Sequence, residues 1–364
     1  MTYRVLHVFT AMNVGGAETM ILNLYRAIDR EKIQFDFLVH TDEIGYYEQE
    51  IIALGGRIFR LPNPRLNYLS SYQKQLFQLF SLNQFAAVHS HPHFFSGFIL
   101  KAAKKASIPI RVAHSHTTSD GQNATILRRL YRSFMKWNLR KNATHRLSCS
   151  VTAGESLFGK NVVTNVLPNS FNLQTYEQVS AENESKQADS IVIGHVGRFD
   201  TVKNHSFFIE TFYHFKQKYP QASAVLVGDG PEKNTIEDLI CEYQLQDSVN
   251  LLGIRSDIPE ILSTFDIFLF PSIYEGLGNV IIEAQAAGVP CLVSDTVPKE
   301  VDLTMNLVTF KSLINGAEAW AEELADLITQ KERPSWDERK RKLKRFGYDV
   351  VENAKYLERL YSGY

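Results

Sequence analysis

The sequence predicts an α/β protein made of two Rossmann-like domains, each a parallel sheet with helices on both faces. Its 364 residues exceed what one hydrophobic core usually supports. Short apolar runs alternate with helical patterns, and this alternation restarts after a polar, acidic segment near the middle of the chain. Because ligands bind at the carboxyl ends of parallel strands, we expect the chemistry in the loops that follow strands.

The first predicted domain covers residues 1–168. Its apolar runs are "YRVLHVF", "FDFLVH", "RIFRL", "AAVHSH" and "IPIRVAH", and its first helix begins near Gly16. Near-continuous apolar runs are typical of strands that are buried on both faces of a sheet. Residues 169–188 are polar and have little periodicity, so we predict an exposed linker there.

The second predicted domain covers residues 189–345. Its apolar runs are "SIVIGHVGRF", "ASAVLVG", "SVNLLG", "FDIFLFPS" and "VPCLVS", with helices predicted near 204–218, 232–244 and 279–287. Residues 346–364 have the apolar stripe of one more helix. We expect this last helix to pack back on the first domain.

Charge is distributed unevenly along the chain, although the net charge is only −1. Residues 1–168 contain 20 Lys and Arg against 10 Asp and Glu, and residues 169–364 contain 19 against 30. The basic half suggests an anionic partner such as phosphate, membrane or nucleic acid. The alternative is that two oppositely charged halves attract each other.

Three widely spaced cysteines, Cys149, Cys241 and Cys291, give neither a disulfide framework nor the close pairs of a zinc site. No signal-peptide pattern and no run of 18 apolar residues occurs. We therefore expect a cytoplasmic protein that does not span a membrane. Peripheral attachment to the inner face of the plasma membrane stays open.

Polar residues follow several strands of the second domain. Arg198 and Lys203 are spaced so that both cations can meet one phosphate group, and the alternative is two solvated surface cations. Gly228 permits a tight turn at the predicted donor site, and the alternative is an ordinary turn between a strand and a helix. The backbone at Ile254 could pair with a base edge, and Asp257 is predicted to cap the next helix.

The stretch "YEGLGNVIIEA" places two acids around Gly276 and Gly278. The glycines leave the backbone open to an anion, and a helix beginning near Leu277 would direct its free N–H groups at a diphosphate. Carboxylates suit vicinal hydroxyls, so Glu283 is predicted to hold a ribose and Glu275 the hydroxyls of a transferred sugar. The alternative is one N-terminal acid and one incidental buried acid.

These motifs resemble those of a known family. "EGLGNVIIEA" looks like the Glu-x7-Glu signature of retaining glycosyltransferases, and "GRFDTVKN" looks like their Gly-Arg-x4-Lys loop. The resemblance covers most of the chain and is to glycosyltransferase family 4, which has the GT-B fold of two domains facing across a cleft. "VGGAE", "AHSHTT" and "SDTVPKEVDLT" resemble its bacterial capsule and exopolysaccharide branch.

The resemblance also implies residue roles. It places the donor diphosphate on Arg198, Lys203 and the backbone amides of Leu277 and Asn279, the ribose on Glu283 and the donor sugar on Glu275. One segment departs from the family: "PNSFN" lacks the glycine and aspartate of Pro-Asn-Gly-(Val/Ile)-Asp, so no role is carried over to Ser170 or Asn172.

In the first domain, Gly15 and Gly16 follow the first strand and could bring backbone amides close to the donor phosphates. The third glycine of a dinucleotide fingerprint is missing, and a plain strand-to-helix turn is the alternative.

Histidines crowd two further strand ends, in "VHSHPHF" and "RVAHSHTT". Alternating residues of a strand face the same way, which is compatible with a metal site, but the lack of a carboxylate or cysteine nearby in sequence disfavours one. In the family, a histidine after this strand faces the sugar, and His116 aligns with it best. His114 is the second choice, and a purely structural role for both is the alternative.

The segment "ILRRLYRSFMKWNLRKNATHR" predicts a basic amphipathic helix. Its cations are Arg128, Arg129, Arg132, Lys136, Arg140 and Lys141, and its aromatic residues include Trp137. This composition suits an anionic membrane surface. The alternative is a docked helix with a solvated basic face, and no motif supports nucleic acid.

We therefore predict a retaining, hexosyltransferase-type glycosyltransferase. It transfers a hexose or N-acetylhexosamine from a UDP-linked donor to a saccharide acceptor, lipid-linked, in bacterial surface polysaccharide synthesis. The chain contains no Asp-x-Asp, so we expect no cofactor and no obligatory metal. The competing classes are a UDP-sugar 2-epimerase-like enzyme and a non-catalytic, sugar-nucleotide-binding partner subunit.

Overall fold

The computed structural model describes residues 2–62, 69–117, 125–182, 191–329 and 333–363. The chain divides into two units. Unit 1 comprises Met1–Asn172 and Gly347–Tyr364, and unit 2 comprises Leu173–Phe346. The predicted domain limits lie at 168 and 345, close to these two crossing points.

Unit 1 is built on a seven-stranded sheet in which all strands are parallel, in the order β3-β2-β1-β4-β5-β6-β7. The strands are β1 (Tyr3–Val8), β2 (Ile33–Val39), β3 (Ile58–Arg60), β4 (Phe85–Ser90), β5 (Ile110–Ser115), β6 (His145–Ser148) and β7 (Asn165–Val166). Its helices are α1 (Gly16–Ala27), α2 (Glu48–Ala53), α3 (Leu69–Leu82), α4 (Ser96–Lys105), α5 (Ile126–Asn142) and α6 (Val151–Phe158).

The sheet of unit 1 is covered on both faces, as the continuous apolar strands predict. Successive residues of β1 enter different cores: Val5 packs on the face that α1 covers, and Leu6 packs on the face that α3 and α4 cover. Both side chains are fully buried. This two-sided burial confirms the predicted Rossmann-like architecture.

The last helix of the chain belongs to unit 1, as predicted. This helix, α14 (Val350–Ser362), packs against α1 and adds Leu357 and Tyr361 to the same core as Val5. The Asp349 carboxylate accepts from the backbone N–H of Val351 at 2.9 Å and caps the start of the helix.

Unit 2 is built on a six-stranded parallel sheet with the order β10-β9-β8-β11-β12-β13. The strands are β8 (Val192–Val196), β9 (Ser223–Val227), β10 (Val249–Leu251), β11 (Ile267–Phe270), β12 (Cys291–Ser294) and β13 (Val308–Lys311). Its helices are α7 (Leu173–Glu182), α8 (His205–Lys218), α9 (Lys233–Glu242), α10 (Ile258–Ser263), α11 (Asn279–Ala286), α12 (Gly316–Thr329) and α13 (Trp336–Arg345).

The segment that was predicted to be an exposed linker, 169–188, contains helix α7. Leu173, Tyr176 and Val179 are buried, and α7 packs against α10 and α13. The prediction of an exposed linker is wrong for this helix, because three apolar side chains spaced three residues apart form one buried face within a polar sequence. The rest of the predicted linker, from residue 183 onward, lies outside the described residues.

Among the described residues, no helix combines the length and the apolar character needed to cross a bilayer.

Candidate active site

The loops that follow β8, β9 and β11 are joined to one another by backbone hydrogen bonds. Gly197 N–H donates to Val227 O at 2.9 Å, which ties the β8 loop to the end of β9. On the other side, Ile273 N–H donates to Val202 O at 2.8 Å, which ties the β11 loop to the same β8 loop. Residues that are far apart in sequence therefore meet at the carboxyl edge of the unit 2 sheet.

Gly228 is required by this packing. Its φ is +145°, and a Cβ at this position would lie 2.0 Å from the carbonyl oxygen of Gly197. Any other residue would push the Arg198 loop away from the sheet. The glycine therefore supports the loop that carries the predicted phosphate-binding cations, and its contact with a donor stays a prediction.

Lys203 and Glu275 form an ion pair across the β8 and β11 loops. The Lys203 ammonium donates to Glu275 Oε1 at 2.5 Å, and the two side chains are 18% and 11% exposed. The ammonium also lies 4.9 Å from the ring centroid of Phe270. The sequence predicted both residues at the site but not their pairing. A diphosphate bound at Lys203 would compete with the Glu275 carboxylate for the ammonium. The ion pair therefore links the residue predicted to hold the phosphate with the residue predicted to hold the sugar.

Arg198 lies in the same β8 loop and is exposed to solvent.

Helix α11 begins at Asn279, in agreement with the helix predicted over 279–287 and two residues later than the start near Leu277 that the two glycines suggested. The difference arises because Gly278 adopts φ +88°, a left-handed conformation that delays the start of the helix, and Leu277 is buried in the loop before it. Apart from Gly276 itself and its two chain neighbours, no atom of the described residues lies within 4 Å of the position that a Cβ would take on Gly276, so the backbone there is open. Such space in front of a helix N-terminus suits an anion.

Two buried polar atoms near the β11 loop and the start of α11 have no hydrogen-bond partner among the described residues. They are Asn279 Oδ1 and Ser272 Oγ. Since buried polar atoms normally have partners, both are suited to a polar ligand. The sequence analysis did not single out Ser272, which the residue pattern places simply at the end of an apolar run.

Glu283 lies in the second turn of α11. Burial raises the pKa of its carboxyl group to about 7, and a hydrogen bond from the Tyr176 hydroxyl to Glu283 Oε2, 3.3 Å long, opposes this rise. The sequence does not indicate Tyr176, which lies in α7, as a partner of this acid. The spacing of Leu173, Tyr176 and Val179 is the signal that could have indicated this residue.

The loop after β10 lacks the predicted cap of α10, whereas the pairing of the Ile254 backbone with a base stays a prediction. Ile254 is 59% exposed, and the neighbouring Gly253 carbonyl already accepts from Gly228 N–H at 2.9 Å. Asp257 occupies the N-cap position of α10 but makes no capping hydrogen bond. Its carboxylate pairs instead with the Arg255 guanidinium, with Nε at 2.8 Å from Oδ1. The predicted side-chain cap is therefore wrong, because an adjacent cation competes for the carboxylate.

In unit 1, Gly15 is the N-cap of α1 and Gly16 is its first residue. The Glu18 carboxylate folds over this helix start and lies 2.4 Å from where a Cβ on Gly15 would be. Burial raises the pKa of Glu18. The predicted contact of these glycines with donor phosphates stays a prediction, and a carboxylate at the same helix start disfavours an anion there.

His116 follows β5 and is partly exposed, whereas His114 lies inside β5 and is fully buried. His116 Nε2 is 2.8 Å from His91 Nδ1, and burial lowers the pKa of His116 to about 3. Only His116 of the pair is therefore placed to meet a substrate. Its role as the residue that faces the sugar stays a prediction.

The predicted basic helix is α5, and it turns an apolar stripe toward solvent. Leu130 is 62% exposed and Trp137 is 54% exposed. The other exposed apolar residues of α5 are Ile126, Leu127 and Phe134. Three of the cations of α5 lie over aromatic rings: Arg128 over Tyr131, Lys136 over Phe94 and Lys141 over Trp137. Of the others, Arg129 and Arg140 are exposed and Arg132 is partly exposed.

Two parallel-sheet units, one of which carries the Glu-x7-Glu signature and pairs its Glu275 with Lys203 of the Gly-Arg-x4-Lys loop, are the features of a glycosyltransferase with the GT-B fold. Residues 14–174 match the family model described as Glycosyltransferase Family 4, and residues 177–347 match the model described as Glycosyl transferases group 1.

Several known proteins are similar over most of their length. The glycosyltransferase EpsF of Bacillus subtilis (strain 168) is 38% identical over 99% of this chain and 96% of its own. The UDP-Gal:alpha-D-GlcNAc-diphosphoundecaprenol alpha-1,3-galactosyltransferase of Escherichia coli is 28% identical, covering 80% of this chain and 79% of its own. The capsular polysaccharide biosynthesis glycosyltransferase CapH of Staphylococcus aureus is 25% identical, covering 92% and 93%.

Among solved structures, the Anabaena protein HepE in complex with UDP superposes with a TM-score of 0.77 at 19% identity, covering 100% of both chains. This likeness supports the GT-B fold. The chain belongs to glycosyltransferase family 4. The predicted enzyme class, a glycosyltransferase, is confirmed.

Proposed function

We propose that this enzyme transfers a hexose or N-acetylhexosamine from a UDP-sugar to a lipid-linked saccharide acceptor, with retention of anomeric configuration, in bacterial surface polysaccharide synthesis. The observation that carries the proposal is the meeting of Lys203, Glu275 and the start of α11 at one edge of the unit 2 sheet. Cations and helix N–H groups suit the diphosphate, and acids suit hydroxyl groups.

The relatives support the finer points of this proposal. The name of the E. coli relative states a UDP-galactose donor and a diphosphoundecaprenol-linked acceptor. That of the S. aureus relative states capsular polysaccharide biosynthesis. The Anabaena neighbour of similar fold holds UDP. A UDP-sugar donor and a lipid-linked acceptor are therefore the first choice for this chain.

In the proposed reaction, the bond between the anomeric carbon and the UDP oxygen breaks, and the acceptor oxygen bonds to the same face of the sugar. The acceptor proton passes to the leaving diphosphate. Arg198, Lys203 and the first N–H groups of α11 stabilise the charge that develops on this leaving group. Glu283 holds the ribose, Glu275 holds the sugar hydroxyls, and His116 is the histidine that contacts the sugar.

The proposal is tested by incubating the purified enzyme with a panel of nucleotide sugars and a membrane lipid extract, and by measuring release of the nucleoside diphosphate. We expect release from one or a few UDP-sugars, stimulated by the extract, with a labelled sugar appearing in the lipid fraction. Release of GDP or dTDP only, or interconversion of the UDP-sugar without transfer, contradicts the proposal.

We also propose that catalysis needs no divalent metal, because protein cations and helix N–H groups meet the leaving-group charge. Transfer measured in excess EDTA should continue at the rate seen without it. An EDTA-treated enzyme that is inactive and regains activity only with Mg²⁺ or Mn²⁺ would overturn this part of the account.

We propose further that the exposed face of α5 docks on an anionic membrane, which would bring the enzyme to a lipid-linked acceptor. The helix contains no Asp or Glu, and its exposed apolar stripe is flanked by cations. Apolar side chains enter the headgroup region, and each cation near an anionic surface contributes about 1 kcal/mol.

We expect the enzyme to co-sediment with phosphatidylglycerol vesicles at low salt, less at high salt, and not with neutral vesicles. Arg129→Gln should weaken binding about fivefold, from the loss of about 1 kcal/mol, and Leu130→Ser/Trp137→Ser should weaken it at low and high salt alike. Arg341→Gln removes an exposed cation from α13 in unit 2 and is the matched control. Equal binding of all variants, or no binding of the wild type, rules out docking through α5.

A further inference from the structure

Five histidines lie together on one face of the unit 1 sheet, in or directly after the three neighbouring strands β1, β4 and β5. His7 and His89 are directly paired across β1 and β4, and the rings of His89 and His114 stack with centroids 5.2 Å apart. The other members, His91 and His116, each follow a strand and have ring centroids 5.0 Å apart. We call these five residues the histidine cluster. Its members come from parts of the chain that are distant in sequence.

Hydrogen bonds order the rings into an inner and an outer layer. His91 Nε2 lies 3.1 Å from His7 Nδ1, and His114 Nδ1 lies 3.1 Å from His89 Nε2. His89 Nδ1 in turn lies 2.5 Å from the Tyr361 hydroxyl. A neutral imidazole has one donor and one acceptor nitrogen. If His91 donates from Nε2 to His7 and His114 donates from Nδ1 to His89, the remaining nitrogens, Nδ1 of His91 and Nε2 of His114, carry lone pairs that point away from these partners.

The outward nitrogens converge with His116. A ring nitrogen of each of His91, His114 and His116 lies within 4.8 Å of ring nitrogens of the other two. His114 Nε2 is buried and has no hydrogen-bond partner among the described residues. An unpartnered buried nitrogen beside two further imidazoles is the arrangement expected of a ligand set.

We propose that His91, His114 and His116 of unit 1 bind a divalent ion of the zinc class. Three imidazole nitrogens suit Zn²⁺ or Co²⁺, with a fourth position left for water. Nitrogens bound to one zinc ion at about 2.0–2.1 Å lie roughly 3.4 Å apart in tetrahedral geometry. His91 Nδ1 and His116 Nε2 are 2.8 Å apart, so these rings must separate slightly.

The neighbouring rings favour this assignment. His7 and His89 accept the inward N–H groups, as partners of metal-bound imidazoles commonly do. A second triad, His7, His89 and His91, is fully enclosed, whereas the proposed triad includes the partly exposed His116.

Metal binding would engage His116, the residue proposed to face the sugar. Bound Zn²⁺ should therefore inhibit transfer, and EDTA should reverse the inhibition, which agrees with a reaction that itself needs no metal. The primary test does not depend on knowing the substrates.

The test uses tag-free, EDTA-stripped, full-length protein titrated with Co²⁺ and then with Zn²⁺. We expect one equivalent of Co²⁺ to give the strong visible absorption of four-coordinate cobalt, and Zn²⁺ to displace it. His91→Phe keeps an aromatic side chain but removes the ligand nitrogens, and His116→Gln changes a partly exposed position. Each variant should lose at least tenfold in affinity for Co²⁺. His145→Gln, a histidine of β6 outside the cluster, is the matched control and should bind as the wild type does.

Circular dichroism of each metal-free variant establishes that it is folded, and Zn²⁺ should raise the unfolding temperature of the wild type and the control but not of the ligand variants. Absence of saturable Co²⁺ binding in the wild type, or equal affinity in folded His116→Gln, overturns the proposal. The cluster is then a stack of hydrogen-bonded neutral rings.

Discussion

Lys203→Ala should lower the turnover of the enzyme by about 10²–10³-fold, the loss typical when one preorganised donor to transition-state charge is removed. Glu275 and the ring of Phe270 position the Lys203 ammonium at the site, where the bound diphosphate would replace Glu275 as its partner before charge develops on the leaving group. The affinity for UDP should fall as well, since diphosphate is common to donor and product. Steady-state kinetics and calorimetry with UDP give the two effects separately.

The matched control is Lys311→Ala. Lys311 forms a similar partly buried ion pair with Glu323 at 2.8 Å, but in β13 and α12. Both substitutions break one ion pair of unit 2, so a general loss of stability should affect them alike. Equal turnover of the two variants would remove Lys203 from the catalytic machinery.

Glu283→Ala should weaken UDP binding by about 10–100-fold. Hydrogen bonds to a charged acceptor contribute about 1.5–3 kcal/mol each, and the proposed contact is with ribose hydroxyls, which UDP and its sugar esters share. The Glu283 carboxyl, whose pKa burial raises to about 7, would be stabilised as an anion by hydroxyl donors. Calorimetry with UDP measures the effect without any knowledge of the sugar or acceptor.

A cycle with deoxy-UDP makes this test specific. Wild-type enzyme should bind 2′-deoxy- or 3′-deoxy-UDP more weakly than UDP, and Glu283→Ala should bind the two nearly equally. Tyr176→Phe removes the hydroxyl that donates to Glu283 but keeps the ring, so its effect should be smaller. If the variant still discriminates against deoxy-UDP as the wild type does, Glu283 does not hold the ribose.

The fold could be predicted from the sequence because strands buried on both faces leave a strong local signal. The run "IFLF" of β11 contains four fully buried apolar residues, and no polar residue interrupts it. Helix α7 was missed because its buried face consists of only three apolar residues in a polar segment. The polar composition of the segment favoured a linker, although the spacing of these three residues is that of one buried helix face.

The candidate site was only partly predictable. Post-strand loops indicated Lys203 and Glu275, but their ion pair joins residues 72 positions apart and depends on how β8 and β11 pair. For the same reason, the alternating histidines are visible in the sequence, but the lack of a carboxylate or cysteine near them in sequence disfavours a metal site. The pairing of β4 with β5 is what brings the histidines of the two segments side by side.

The pattern of apolar and polar residues in α5 does not predict which face of the helix packs against the rest of unit 1. The buried residues include Asn138 and Asn142, whose side chains donate to carbonyl oxygens one turn earlier in the helix, at 3.1 and 2.8 Å. These hydrogen bonds allow two polar residues to be buried while Leu130 and Trp137 stay exposed. The rule that apolar residues face the core would instead place Leu130 and Trp137 inside and the two asparagines outside.

The central claim is that unit 2 binds the UDP part of the donor at the start of α11, and a crystal structure of the enzyme with UDP tests it most directly. The account predicts the diphosphate within hydrogen-bond distance of Lys203 and the backbone N–H of Asn279, and the ribose hydroxyls within hydrogen-bond distance of the Glu283 carboxylate. Ordered UDP bound elsewhere in the protein, with these residues uninvolved, would contradict the account.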